Sequence, residues 1–222
     1  MSSERPRLIA QERFLEHRQQ LEQLDLPKRF QYIFQHNLWS NEESRSGIGS
    51  TMEQTRTLRK EIVALLNMIS AKSMLDIPCG DFNWLSQVEL GVSYTGADIV
   101  PAIIEENQRK FTDSKRQFVC LDATTSALPK ADVILCRDCL VHLSNANIDA
   151  ALNNFRRSGS RYLLMTHFYD VTVNRDIADG DWRAINFTLG PFYLPTPKCL
   201  IVENCMEADG AYEDKSLGLW EL

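Results

Sequence analysis

Asp138 and His142 stand four residues apart in the run Cys136-Arg137-Asp138-Cys139-Leu140-Val141-His142-Leu143-Ser144. On a helical turn that spacing puts both on one face, where a carboxylate can orient an imidazole. A histidine held this way can take a proton from a hydroxyl or an amine. It can equally cap a helix or fill a core, and the sequence leaves both readings open. Three further acids, Asp76, Asp98 and Asp122, each close a short apolar run. If those runs are strands, the acids occupy the carboxyl edge where an open α/β sheet gathers its ligands. An acid after the second strand, roughly twenty residues past a glycine turn, reaches the paired hydroxyls of a ribose. One such acid alone is as easily a turn-former. Three in register with successive strands point to a nucleoside site.

The glycine turn is Asp76-Ile77-Pro78-Cys79-Gly80-Asp81, and Gly80 can take positive φ and let a ligand approach the backbone. No G-x-G-x-x-G occurs, which argues against a dinucleotide site whose pyrophosphate needs those glycines. Strands are expected at Ser73–Asp76, Ser93–Ala97, Phe118–Leu121, Asp132–Cys136 and Tyr162–Thr166. Helical stripes fall between them, at Ile103, Ile104 and Phe111 and at Ile148, Ala151, Leu152 and Phe155. A short helix is expected over Trp84–Val88, and Pro101 suits a first helical turn. Short apolar strands alternating with amphipathic helices call for a parallel sheet covered on both faces. The rhythm then changes: Cys199–Glu203 and Leu217–Glu221 read as strands with no helix between them, hence an antiparallel hairpin.

Ahead of this core, Leu58, Ile62, Leu65, Leu66 and Ile69 mark a helix, with Ser50 or Thr51 as its N-cap. The small-residue loop Ser46–Thr51 is either plain capping chemistry or a flap presenting amides and hydroxyls to a ligand. Residues 1–50 read as a helical lid, with weak spacing at Leu15, Leu21 and Leu24, an interruption at Pro27, and an apolar face at Phe30, Ile33 and Phe34. Residues 51–222 complete a single domain. His167, after the fifth strand, opens toward the crevice. The loop Asp179–Phe187 offers Trp182, Arg183 and Asn186; with Trp39 these could stack on an acceptor or hold an anionic group, or else form a satellite apolar cluster.

The chain of 222 residues carries a formal charge of -6 and is 44% hydrophobic, an ordinary composition for one domain without a broad basic footprint for nucleic acid. No membrane-length apolar run and no signal-peptide core occur, and the six cysteines, several in apolar strands (Cys120, Cys136), read as reduced thiols; a cytoplasmic monomer or homodimer is expected. Cys136-x-x-Cys139 with His142 lacks the second ligand pair that structural zinc requires.

The run Ser73–Trp84 resembles motif I of class I S-adenosylmethionine (SAM)-dependent methyltransferases, with Asp76 and Gly80 in the family's positions and Pro78 and Phe82 where it usually has glycine. The edges, with their SGxGS, RDxLVHLS and WRxxN segments, resemble a distinct bacterial and algal group of these enzymes. The resemblance implies a three-layer α/β sandwich with a mostly parallel seven-stranded sheet ending in an antiparallel hairpin. It implies SAM as cofactor, held by Asp76, Pro78, Cys79, Gly80 and Trp84, by Asp98 and Ile99, by Asp122 and Ala123 at the adenine, and by Cys136, Arg137, Ser46 and Ser50. His142 with Asp138 would take the acceptor's proton, and Trp39, His167, Trp182, Arg183 and Asn186 would face the acceptor. That acceptor is expected to be a small or glycan-like molecule methylated at oxygen or nitrogen; a protein side chain, or a non-catalytic binding module, are the alternatives. The stretch around His142 is also similar to the E-x-x-E-H ligands of ubiquinone-pathway O-methyltransferases, but Val141 replaces the middle acid, so no metal is expected.

Overall fold

A computed structural model describes residues 5–222; positions 1–4 of the expected lid lie outside the described residues. Seven strands form one sheet: β1 (Ser73–Asp76), β2 (Ser93–Asp98), β3 (Arg116–Cys120), β4 (Val133–Cys136), β5 (Tyr162–Phe168), β6 (Cys199–Val202) and β7 (Lys215–Glu221). Their order across the sheet is β3-β2-β1-β4-β5-β7-β6. The first five run parallel, while β7 is antiparallel to both β5 and β6. Reversal of strand order between β1 and β4 opens a crevice at their carboxyl ends, where ligands of such sheets bind.

Side chains alternate across each strand, so one sequence feeds two cores. Met74, Val133, Leu135 and Leu164 point to one face, where α3 (Leu58–Met68) packs with Leu58, Ile62, Leu65 and Leu66, and α4 (Pro101–Phe111) packs with Ile104. Leu75, Ile134, Cys136, Leu163 and Met165 point to the other, against Ile148, Ala151, Leu152 and Phe155 of α5 (Asn145–Arg157). With helices on both faces, β4 and β5 are buried at every position, which explains their unbroken apolar runs.

The N-terminal segment consists of α1 (Ile9–Leu21) and α2 (Leu26–Gln35) around a small core of Phe14, Leu21, Ile33 and Leu38. Leu15 of the expected stripe faces solvent and Phe14 faces inward. Pro27 opens α2 rather than breaking a helix, since a first-turn proline has no amide to lose, and Asp25 caps it by accepting from the Lys28 amide. Ser50 and Thr51 do not cap α3. A single 3-10 turn (Ile48–Ser50) and a string of turns precede the helix, which starts at Leu58. The expected Trp84–Val88 helix shrinks to a 3-10 turn at Leu85–Gln87. Cys120 is exposed, because its strand is the sheet's edge. Among the described residues no helix is long and apolar enough to cross a membrane.

Candidate active site

A cleft of about 860 Å3, partly open to solvent, lies over the carboxyl ends of β1, β2 and β4, the edge where ligands of such sheets settle. The turn after β1 forms its floor. Gly80 has φ +53, and a Cβ built there would lie 2.1 Å from Ser46 Oγ, so glycine is required on both conformational and steric grounds. The close approach has a purpose. Asp81 accepts from Ser44 Oγ at 3.0 Å, from the Arg45 amide at 2.7 Å and from Ser46 Oγ at 3.2 Å, and its own amide donates back to Ser46 Oγ at 3.0 Å. The small-residue loop is thereby fastened over the glycine turn. Asp81 went unremarked in the sequence because its partners lie more than thirty positions upstream.

Asp98, at the tip of β2, accepts from the Gly80 amide at 3.2 Å and the Val100 amide at 2.9 Å, and burial pushes its carboxyl up to about 6. Asp76 is raised to about 7, burial outweighing the hydrogen bond donated by Tyr94 Oη at 2.7 Å. Both line the cavity with Pro78, Cys79, Trp84 and Ile99. Asp122 does not join them. Its carboxylate turns back to accept from the Thr124 amide and from the hydroxyls of Thr124 and Thr125, the turn-forming role open to any such acid. Asp122 and Ala123 border a separate, largely apolar recess with Leu26, Phe30, Ile77, Ile99 and Leu143, which meets the main cavity at Phe30, Pro78, Ile99 and Cys139. Cys136 lies fully buried within β4 and does not reach the cavity.

His142 lies on the 3-10 turn Leu140–His142 and lines the cavity. It is not paired with Asp138 as the spacing suggested. The chain departs from helix at Asp138, whose φ is 50°, so the two residues do not share a helical face. His142 Nδ1 instead lies 2.8 Å from the Asp181 carbonyl, to which it donates. A carbonyl can only accept, so Nε2 of the neutral ring keeps its lone pair, and among the described residues no hydrogen bond engages it. Burial holds the imidazolium down to about 4, so the ring is neutral at physiological pH. Trp39 packs on the ring at 5.1 Å between centroids.

Asp138 belongs to a buried charge cluster that local spacing could not disclose. Lys215 Nζ reaches its carboxylate at 2.7 Å and Arg137 at 3.1 Å; burial opposes its charge, but these two cations hold it well below the usual carboxylate range. Arg137 also binds Glu203 at 2.6 Å and donates to the Gly49 carbonyl at 2.7 Å, tying β4 to the hairpin and to the loop. Arg137 is thus half structural, though it lines the cavity.

The other expected acceptor residues divide. Trp39 lines both the main cavity and a second recess, and Trp182 lines the second. Arg183 is buried and donates to the Leu140 and Val141 carbonyls at 3.0 and 3.1 Å and to Asn145 at 3.2 Å. With the Gly180 amide donating to the His142 carbonyl, it clamps the turn that carries His142. Asn186 staples a loop through the Tyr169 and Val171 carbonyls, and His167 is buried against Trp220, accepting from the Phe187 amide. None of these three lines the main cavity or the second recess.

Residues 75–159 match the family model described as methyltransferase domain. The N-methyltransferase NodS from Bradyrhizobium japonicum WM9, solved with S-adenosyl-L-homocysteine (SAH), superposes over 89% of this chain and 98% of its own at a TM-score of 0.63 and 16% identity. The methyltransferase domain of bacterial CtHen1-C matches over 78% of this chain and 99% of its own, with TM-score 0.56 and 15% identity. Against other solved structures the chain spans part of their length: 66% of CtHen1-CN (TM-score 0.46, 16% identity) and 41% of human N-acetylserotonin methyltransferase (TM-score 0.43, 14% identity). No curated protein sequence matches it significantly. Residues 75–159, from β1 through α5, thus match a methyltransferase-domain model, and the 3-2-1-4-5-7-6 sheet has the fold seen in NodS and CtHen1-C.

Proposed function

We propose that this protein binds SAM in the cavity at the ends of β1, β2 and β4 and methylates a small-molecule or glycan-like acceptor at nitrogen or oxygen. The observation that carries the reading is the placement of Asp98 and the Gly80 turn on the same cavity wall as His142. The residues present suit the group. Asp98 offers a buried carboxylate to two ribose hydroxyls, Gly80 leaves room for the amino-acid portion, and the apolar recess beside Ile99 and Leu143 has the character of a base-binding slot. When bound, SAM supplies an electrophilic methyl on a sulfonium.

The chain's own residues do the rest. Phe30, Phe34 and Trp39 of the N-terminal segment line the cavity with apolar surface. Holding donor and acceptor in line is the main lever, since orientation accounts for about 7–11 kcal/mol in well-aligned systems. His142 Nε2 accepts the proton that the acceptor gives up, its ring held by the Asp181 carbonyl rather than by a carboxylate. Isothermal titration with SAM and with SAH tests the reading: micromolar binding is expected, and absence of heat together with no thermal shift at millimolar ligand refutes it.

A further inference from the structure

A second recess, of about 520 Å3, opens off the main cavity through Trp39, Ser46, Asp138 and His142. Its walls include Trp182, Tyr212 and Phe168, packed edge to face with centroids 5.1 to 6.1 Å apart. Charge at its base does not balance. Two cations, Arg137 and Lys215, meet three carboxylates, Asp138, Glu203 and Glu207. Asp138 takes Lys215 and Arg137, and Glu203 takes Arg137 at 2.6 Å with Lys215 at 3.9 Å. Glu207 is left over. Among the described residues no cation lies within ion-pair distance of it, and its one hydrogen bond comes from the Cys205 thiol at 3.8 Å. Gly49 keeps the spot open: the position of its missing Cβ lies 3.1 Å from Asp138 Oδ2, 3.2 Å from Lys215 Nζ and 3.4 Å from Glu207 Oε1.

Building on the proposed methyl transfer, we propose that this recess receives an acceptor bearing an amine, with Glu207 as its recognition carboxylate, and that the reaction is N-methylation. A half-buried carboxylate with no ion pair of its own among the described residues, in a cluster holding one carboxylate more than it has cations, favours an ammonium group through charge. A carboxylate or phosphate acceptor meets uncompensated like charge there, and a neutral polyol leaves Glu207 desolvated without a counter-charge. The ammonium first releases its proton to solvent, and His142 Nε2 accepts a hydrogen bond from the neutral amine that remains. The freed nitrogen lone pair forms the N–C bond to the methyl, while the sulfur keeps the electron pair of the broken C–S bond.

Matched probe pairs test this on the full chain loaded with SAH: glucosamine against glucose, and tyramine against 4-hydroxyphenethyl alcohol, by calorimetry and thermal shift. The amine member of at least one pair is expected to bind about tenfold or more tighter than its hydroxyl partner, as a charge-assisted hydrogen bond implies. E207Q should abolish that preference while leaving SAH affinity unchanged. Failure of SAH itself to bind refutes methyl transfer, and the acceptor proposal with it. SAH binding with no amine preference in either pair, or with a preference that survives E207Q, overturns the amine proposal alone.

Discussion

Replacing Asp98 with asparagine should separate cofactor recognition from folding. The carboxylate is 5% exposed and already accepts from two backbone amides, Gly80 and Val100. Its remaining acceptor capacity faces the cavity, where two ribose hydroxyls would donate. Each hydrogen bond to a charged group contributes about 1.5–3 kcal/mol, so losing two costs about 3–6 kcal/mol, or a 10²- to 10⁴-fold rise in the SAM dissociation constant. Asparagine also turns an NH2 toward one of the amide donors, so the site cannot simply reconstitute. A pH series adds a second readout. Burial places the Asp98 carboxyl at about 6 in the free protein, and the ionised form is the one that accepts the hydroxyl protons. Affinity should therefore be full above pH 6 and decline by about tenfold per unit as the pH falls below it. Calorimetry at pH 5, 6, 7 and 8 measures both effects. If D98N binds SAM within fivefold of the wild type, or shows the same slope below pH 6, the assignment of Asp98 to the ribose is wrong.

His142→Ala should keep SAM affinity within about threefold and lower turnover by about 10²- to 10⁴-fold, the range for removal of a general base; radiolabelled methyl transfer paired with calorimetry measures both. Because burial places that imidazole at about 4, protonation of His142 should not limit kcat above pH 5. Gly80→Ala places a methyl 2.1 Å from Ser46 Oγ at φ +53; a left-handed alanine alone costs about 1–2 kcal/mol, and the displaced loop should weaken SAM binding more than S46A does. Glu203→Gln strips the principal counter-charge from Arg137, both side chains being under 5% exposed. Loss of a buried partner costs about 3–5 kcal/mol, which at about 2–4 °C per kcal/mol lowers Tm by about 6–20 °C in a chain this size. A shift under about 2 °C in differential scanning calorimetry would show that the pair contributes little.

What the sequence determined by itself is the sheet and its carboxyl rim. The apolar runs at Met74–Leu75, Val133–Cys136 and Tyr162–Met165 are buried on both faces, so their hydrophobicity is continuous and identifies parallel strands without a structure. Asp98 and Gly80 are set locally, one by the end of its strand and the other by the turn that follows β1, so their place on the cavity was legible too. The stripes of α3 and α5 follow from 3.6-residue periodicity alone.

Tertiary structure alone decided the partners of Asp138, Arg183 and Asn186. Asp138 was expected to orient His142, four residues on; it binds Lys215 instead, seventy-seven residues away, because a left-handed turn at Asp138 removes the shared helical face. Arg183 and Asn186 have the composition of ligand-binding groups, yet both donate to backbone carbonyls of segments brought beside them by the fold. Asp122 turns its carboxylate to its own next residues, Thr124 and Thr125, at the edge of the side recess. The physical reason is common to Asp138, Arg183 and Asn186. A buried polar group takes whichever complementary atom the folded chain brings within about 3 Å, because leaving it unpaired costs about 1–3 kcal/mol, and that proximity depends on how distant segments pack.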